Sequence, residues 1–300
     1  MEQKEENKLE FHGEIKAVID NLRSGKKMIA MVAPSFVIDF DYKTFADTLR
    51  AMGFCSVTEL TFGAKEVNRF YTNYIKQNPN KLHISSPCPV ITKLIVNKYP
   101  QLKDNLIPCV SPMVAMARIL KKECPELMRV FIGPCFAKKQ EAKYYSEDID
   151  LALTYKDIDK VIKFFKKANL MKPKEKKNYF FDRFYDDATK IYPVSGGLAK
   201  SMHAREIVGE DEFIIADGTK EVLKILDELN LDEDKTNFVD ILSCNGGCIG
   251  GPGVISTEPI PDRKKKVLEY MEYAKSNKTG ERVGLDKYVE TIDFSAKPFI

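Results

Sequence analysis

The sequence predicts an α/β fold made of two lobes, each with a mainly parallel sheet flanked by helices. Three observations carry this. Short continuous apolar runs alternate with segments of helical period, the pattern of parallel strands joined by helical crossovers. Glycine and proline punctuate nearly every junction. Three cysteine sites stand just beyond predicted strand ends, where open α/β sheets hold their ligands.

The elements follow in order. Ile15, Val18, Ile19 and Leu22 recur at helical spacing, and Ser24-Gly25 stops that helix. Met28 to Val32 is wholly apolar and ends at Pro34, which suits a strand buried on both faces. Residues 44–52 read as a helix ending at Gly53, 57–62 as a strand, and 66–77 as a helix. A short strand over 82–85 runs into Cys88, and Pro89 suits the first turn of a helix over about 90–97. Another helix follows Pro112 through Leu120, and a strand over 129–132 delivers Cys135. Beyond it come a strand over 149–154, a helix over 156–168 and a polar, lysine-rich connection over 170–187. A helix after Gly197, a strand over 212–216, a helix over 220–229 and a strand over 238–242 lead to Cys244. A helix over 264–275 and the stretch 289–299 close the chain as wrapping structure.

With 300 residues, 44% of them hydrophobic, the chain can bury a large core. The formal net charge is only +3, with lysine and acid intermixed, so no concentrated basic face for nucleic acid is expected. The basic runs at 172–177 and 263–266 read as solvated faces. No apolar run spans a bilayer, and Met-Glu-Gln-Lys-Glu-Glu-Asn-Lys is too polar for a signal peptide. Seven cysteines, an odd number, argue against a disulfide framework. These features point to a reducing cytoplasm, and the wealth of Lys, Ile, Asn and Tyr fits an anaerobe.

Four cysteines carry the chemistry: Cys88 in Ser-Ser-Pro-Cys-Pro, Cys135 in Gly-Pro-Cys-Phe-Ala-Lys-Lys-Gln-Glu, and Cys244 with Cys248 in Ser-Cys-Asn-Gly-Gly-Cys-Ile-Gly-Gly. Four thiolates suit a cubane iron–sulfur cluster. Zinc is the alternative, but structural zinc normally takes two close pairs, and here only one pair is close. The glycines around Cys248 are expected to let backbone approach a bulky inorganic ligand. Cys55 and Cys124 read as structural, and His12, His83 and His203 share no motif.

These three motifs, in this order, resemble those of the catalytic domain of [FeFe] hydrogenases, from about Lys27 to Ser256. The resemblance implies a helical extension over 1–26, a domain over 27–256 and a wrapping segment over 257–300. The lobes would span approximately 27–135 and 145–256, with exchange of segments allowed and the cluster in the cleft between them. It implies an H-cluster: a [4Fe–4S] cubane on Cys88, Cys135, Cys244 and Cys248, with Cys248 bridging to a two-iron subcluster bearing CO, cyanide and azadithiolate. Lys138 and Cys248 would be catalytic, Lys138 facing a cyanide and Glu141 fixing it. Ala33, Pro34 and Ser35 would line the cavity with Gly133, Pro134, Ser111, Met113 and Leu242.

Departures from the family pattern set the expected activity. Pro87 stands where fast members carry a proton-relaying cysteine, Gly133 and Leu242 stand for methionines, and Met113 for a glutamine. The stretches that hold the usual proton path contain instead Phe70, Tyr71 and Tyr74, and Leu106-Ile107-Pro108. Tyr71, Tyr74, Glu66, Glu141 and Cys109 are candidate parts of another path, but packing is the favoured reading of the tyrosines and Cys109. Together with Tyr192-Pro193-Val194-Ser195-Gly196-Gly197, these features resemble the family's sensory branches. The implied function is slow or sensory reversible activation of H2, with protons, an external electron carrier such as ferredoxin, and H-cluster maturation proteins as partners. The alternative is a cubane-only iron–sulfur protein of assembly or redox-regulatory role. No cysteine precedes Cys55, so the expected form is either a minimal single-cluster version or an excised domain.

Overall fold

Helical segments separate almost all the apolar runs, and a helical crossover returns each strand parallel to its neighbour. The structure, a computed structural model, describes residues 11–173, 180–183, 186–209, 212–229, 236–277, 279–280 and 289–297. Helix α1 (Gly13–Arg23) leads into β1 (Met28–Val32), α2 (Phe45–Met52), β2 (Ser56–Glu59), α3 (Thr61–Gln77) and the short β3 (His83–Ile84). Next come α4 (Pro89–Lys98), α5 (Pro112–Glu123), β4 (Met128–Gly133), α6 (Ala137–Tyr144), β5 (Leu151–Thr154) and α7 (Tyr155–Lys167). The rest comprises α8 (Gly197–Ser201), α9 (Ala204–Val208), β6 (Phe213–Asp217), α10 (Thr219–Glu228), β7 (Phe238–Leu242) and α11 (Ile260–Ser276).

Two all-parallel sheets result, ordered β2-β1-β4-β5 and β3-β7-β6. The sheets do not divide the chain into contiguous halves. β3 lies within the expected first lobe, 27–135, but joins the second sheet, where the amides of His83 and Ser85 donate to Asn237 and Val239. β5, from the stretch 145–256, joins the first sheet beside β4.

The two-residue period of the strands assigns their side chains to separate cores. Met28, Ala30 and Val32 face outward with apolar residues of α1, α2, α7 and α11. Ile29, Met31 and Phe131 face inward, onto α3, α5 and Phe238 of the second sheet. Val239 and Ile241 pack on the far side against α4 and α10. The layers therefore read helices, sheet, helices, sheet, helices.

Three of the differences from the sequence reading stand out. The strand expected over 57–62 ends at Glu59, and Thr61 and Phe62 already open α3. Residues 56–62 are buried without a break across the strand's end and the helix's first turn, and the mixed apolar and polar pattern does not split them. A helix also follows Cys135 directly as α6, which the strand signal before it had hidden. α11 starts at Ile260 instead of 264, with proline in its first turn. The N-terminal extension, the connection over 170–187, the basic run 172–177 and the closing stretch lie partly outside the described residues. Among the described residues no helix is long and apolar enough to cross a membrane.

Candidate metal centre

The carboxyl ends of both sheets converge on one cavity, the place where parallel sheets bind ligands. From the first sheet come Ala33, Pro34 and Ser35 after β1, Leu60 and Ala64 after β2, and Pro134, Cys135 and Lys138 after β4. The second sheet contributes Pro87 after β3, and Leu242 and Cys248 after β7. Pro112, Met113, Phe131, Tyr192 and Pro193 complete the wall. The lining is mostly apolar, so whatever binds there sits in a low-dielectric, largely water-free space.

Of the four motif cysteines, Cys135 and Cys248 line this cavity, and Cys88 and Cys244 lie near enough to act on them electrostatically. Each is half-buried and outside any disulfide. Burial pushes the Cys248 thiol well above its ordinary range, and the fields of Cys88, Cys135 and Cys244 add to it. Burial raises Cys244 to about 11, again with Cys88 and Cys135 contributing. Cys135 is raised by burial too, but Lys138 opposes this, and the amides of Lys138 and Ala137 donate to its sulfur. Such thiols stay protonated unless a cation takes the proton's place, so ligation of a metal here would release their protons.

Among the described residues, no three His, Cys, Asp or Glu side chains gather closely enough to hold a single ion. A zinc ion would need four donors about 2.3 Å from one point. A cubane instead spreads its four thiolates over four irons. Four cysteines near enough to feel one another's charge are a donor set that fits a cubane.

Lys138 stands at the cavity wall. Its ammonium donates to the Pro87 carbonyl at 3.0 Å and pairs with Glu141, both side chains being largely buried. Glu141 itself faces an outer groove, which Ser111 and Cys109 also line. Ser111 is thus set back from the cavity, while its neighbours Pro112 and Met113 reach it. Gly133 is covered as well: a Cβ there would lie 2.3 Å from the Phe131 ring. Residues 131 and 133 share one face of β4, so the phenyl ring occupies the space a side chain at 133 would take.

The glycines after Cys244 are used differently from expectation. A Cβ on Gly251 or Gly253 would come within 2.5 and 2.8 Å of the Pro134 carbonyl oxygen. The Gly253 amide donates to that same oxygen at 2.8 Å. The absence of side chains there lets the third motif lie directly on the backbone of the second. Close approach is to protein first, and it brings Cys135 and Cys248 to one cavity.

Several lining residues gave no sequence signal as site residues. Tyr155 bonds Ser35 Oγ at 2.7 Å and donates to the Ala33 carbonyl at 2.9 Å, which fixes that wall from 120 residues away. Leu60, Ala64 and Phe131 are visible only once the sheet register is known. Tyr192 and Pro193 could have been found from their place beside the Ser-Gly-Gly turn.

Comparison with known proteins gives a consistent result. A family model for the C-terminal domain of the iron-only hydrogenase large subunit matches residues 26–252. Iron hydrogenase 1 of Clostridium pasteurianum is 22% identical over 295 residues, covering 78% of this chain and 51% of that protein. The chain thus spans about half the length of that relative. The fold resembles the [FeFe]-hydrogenase HydA1 of Chlamydomonas reinhardtii, in an engineered variant, with a TM-score of 0.65 at 17% identity and 93% coverage of both chains. A structure of HydA(deltaEFG), concerned with stepwise H-cluster assembly, gives a TM-score of 0.64 at 16% identity, again with 93% of both chains covered.

Proposed function

The chain belongs to the family formed by the C-terminal domain of iron-only hydrogenases, and on that premise we propose that it binds an H-cluster and activates H2 slowly, as a sensor of hydrogen. Cys88, Cys135, Cys244 and Cys248 would hold the cubane, and Cys248, the one of them deepest in the protein, would carry the two-iron group toward the cavity. When bound, that group supplies the chemistry of H2 cleavage to two protons and two electrons. Electrons would leave through the cubane to an external carrier such as ferredoxin, and maturation proteins would supply the two-iron group.

The chain's own residues do the rest. The apolar wall keeps water out and strengthens every polar interaction inside. Lys138, steadied by Glu141, offers an ammonium to an anionic ligand, a charge-assisted contact. The observation that carries the slow, sensory reading is Pro87. It lines the cavity at the relay position and has no proton to pass, and its carbonyl is taken by Lys138. Losing such a relay costs roughly 10²–10⁴-fold in rate. A sensor tolerates that; a fast catalyst does not.

Infrared spectroscopy after anaerobic maturation with a synthetic two-iron cofactor tests this. CO and cyanide bands that shift between argon and hydrogen are expected, together with weak turnover. About four irons per chain with no such bands would sink the proposal and leave a cubane-only protein.

A further inference from the structure

Each sheet ends in two edge strands, and among the described residues the edges are covered at β2, β3 and β5. On the outer side of β2 the Asp182 amide donates to the Val57 carbonyl at 2.7 Å. On β3 the Ile107 amide donates to the Ile84 carbonyl at 2.9 Å. β5 is almost wholly buried, packed beside α1 and α6. β6 is the exception. Among the described residues no backbone group bonds its outer side, and Ile215 at its centre is 43% exposed.

The direction of its free groups follows from the ladder. The Phe238 amide donates to the Glu212 carbonyl at 3.1 Å, and the Gly218 amide to the Leu242 carbonyl at 3.0 Å. Even-numbered residues therefore face β7, and Phe213, Ile215 and Asp217 turn their N–H and C=O groups outward. Native proteins block an apolar edge of this kind with proline, lysine or a bulge, and Phe-Ile-Ile-Ala-Asp contains none.

The edge is complementary to itself. In an antiparallel pair centred on Ile215, that residue meets the partner's Ile215, and Phe213 meets the partner's Asp217. All these residues face across the pair, so each opposed couple can exchange two backbone hydrogen bonds. Opposed side chains share a face. Here it is the face toward α8 and α9, where a groove of about 520 Å³ is lined by Gly196, Lys200, Arg205, Phe213 and Ile215. The Arg205 guanidinium lies 5.9 Å over the Phe213 ring, which sets its charge beside the partner's Asp217. A two-fold axis repeats that ion pair on the other side.

We propose that the chain forms a two-fold dimer by antiparallel pairing of β6, which joins the second sheets of two copies into one continuous sheet. The pairing does not depend on what the cavity binds, but it touches the metal centre. Asp217 accepts the amide of Gly246, between Cys244 and Cys248, so the interface bears directly on that loop. So short a strand buries less than the ~1,200–2,000 Å² of a stable interface, and the dimer is weak and reversible.

Sedimentation velocity of the full chain through the micromolar range is expected to show a monomer–dimer equilibrium. Amide exchange at 213, 215 and 217 is expected to slow as concentration rises. Ile215→Lys, at an exposed position, sets two like charges against each other on the axis. It is expected to stay monomeric throughout and to melt with the dilute wild type. Arg205→Glu is expected to raise the dissociation constant at least about tenfold, because it opposes the partner's Asp217 with a like charge. A wild type that is monomeric at every concentration overturns the proposal. So does a dimer whose β6 exchange ignores concentration, or one that survives Ile215→Lys, since another face would then hold it. Exchange in the wild type decides alone should Ile215→Lys fail to fold.

Discussion

Asp240 stands in β7, 2% exposed, with only the Ala199 amide and the Ser85 hydroxyl to answer its charge. Burial raises its pKa from an ordinary 3.8 to about 6, against the lowering by those two bonds. The folded state therefore holds the proton more tightly than the unfolded chain does. Its contribution to stability is complete below about pH 4, is lost as pH rises to about 6, and is level above that. At ~1.4 kcal/mol per pH unit the loss is roughly 3 kcal/mol. Asp240→Asn should flatten this slope, so denaturant midpoints of wild type and variant, measured from pH 4 to 7, should diverge in their pH dependence. Parallel curves would mean that the carboxylate is ionised throughout. At this scale the four cysteines, Lys138 and Pro87 were legible because each sits in a short motif. Asp240 and Tyr155 were not: their partners lie 41 to 155 positions away, and only folding brings them together.

The ends of elements fix the cavity's shape more than their middles do. Glu59 ends β2, and Lys190 lies in the short 3₁₀ turn Ala188–Ile191 that leads to Tyr192. The two form a fully buried ion pair, and the Tyr270 hydroxyl of α11 lies 3.2 Å from the ammonium. The pair thus ties Leu60 and Tyr192, two parts of the cavity wall, to the helix that packs behind them. Ion pairs this deep add little net stability, but breaking one leaves an uncompensated charge that costs about 3–5 kcal/mol. Lys190→Met should lower stability by about that amount, read as the shift in guanidinium midpoint. Adding Glu59→Leu should restore most of it. If the double variant is no better than the single, the pair's value lies in its geometry and not its charge balance. None of this was readable from the chain, where Glu59 and Lys190 stand 131 positions apart in stretches of mixed polarity. The strands and their order along the chain were readable, because a continuous apolar run bounded by glycine or proline has few other uses. Which sheet β3 and β5 would join was not, since pairing depends on the approach of distant strands.

At the scale of the whole molecule the cysteines are divided between the sheets. Cys135 follows β4 of the first sheet, whereas Cys88, Cys244 and Cys248 follow β3 and β7 of the second. Backbone bonds already cross between these loops, from Gly253 to Pro134 at 2.8 Å and from Ile249 to Pro193 at 3.2 Å. A cubane held by all four would add covalent links across the same gap, and its binding energy would become folding energy. The expected consequence is that loading the cubane alone, without the two-iron group, raises the melting temperature of both sheets in one cooperative transition. It should also slow amide exchange at 87–89, 134–138 and 244–251 together. Cys135→Ala tests the link most sharply, because Cys135 is the one motif cysteine that follows a strand of the first sheet. That variant should lose the gain in exchange protection around 244–251 as well as around 134–138, even though its substitution lies on the other sheet. Protection that persists around 244–251 at the loaded level would show that the second sheet holds its cysteines in place unaided, and that the metal centre does not couple the two halves.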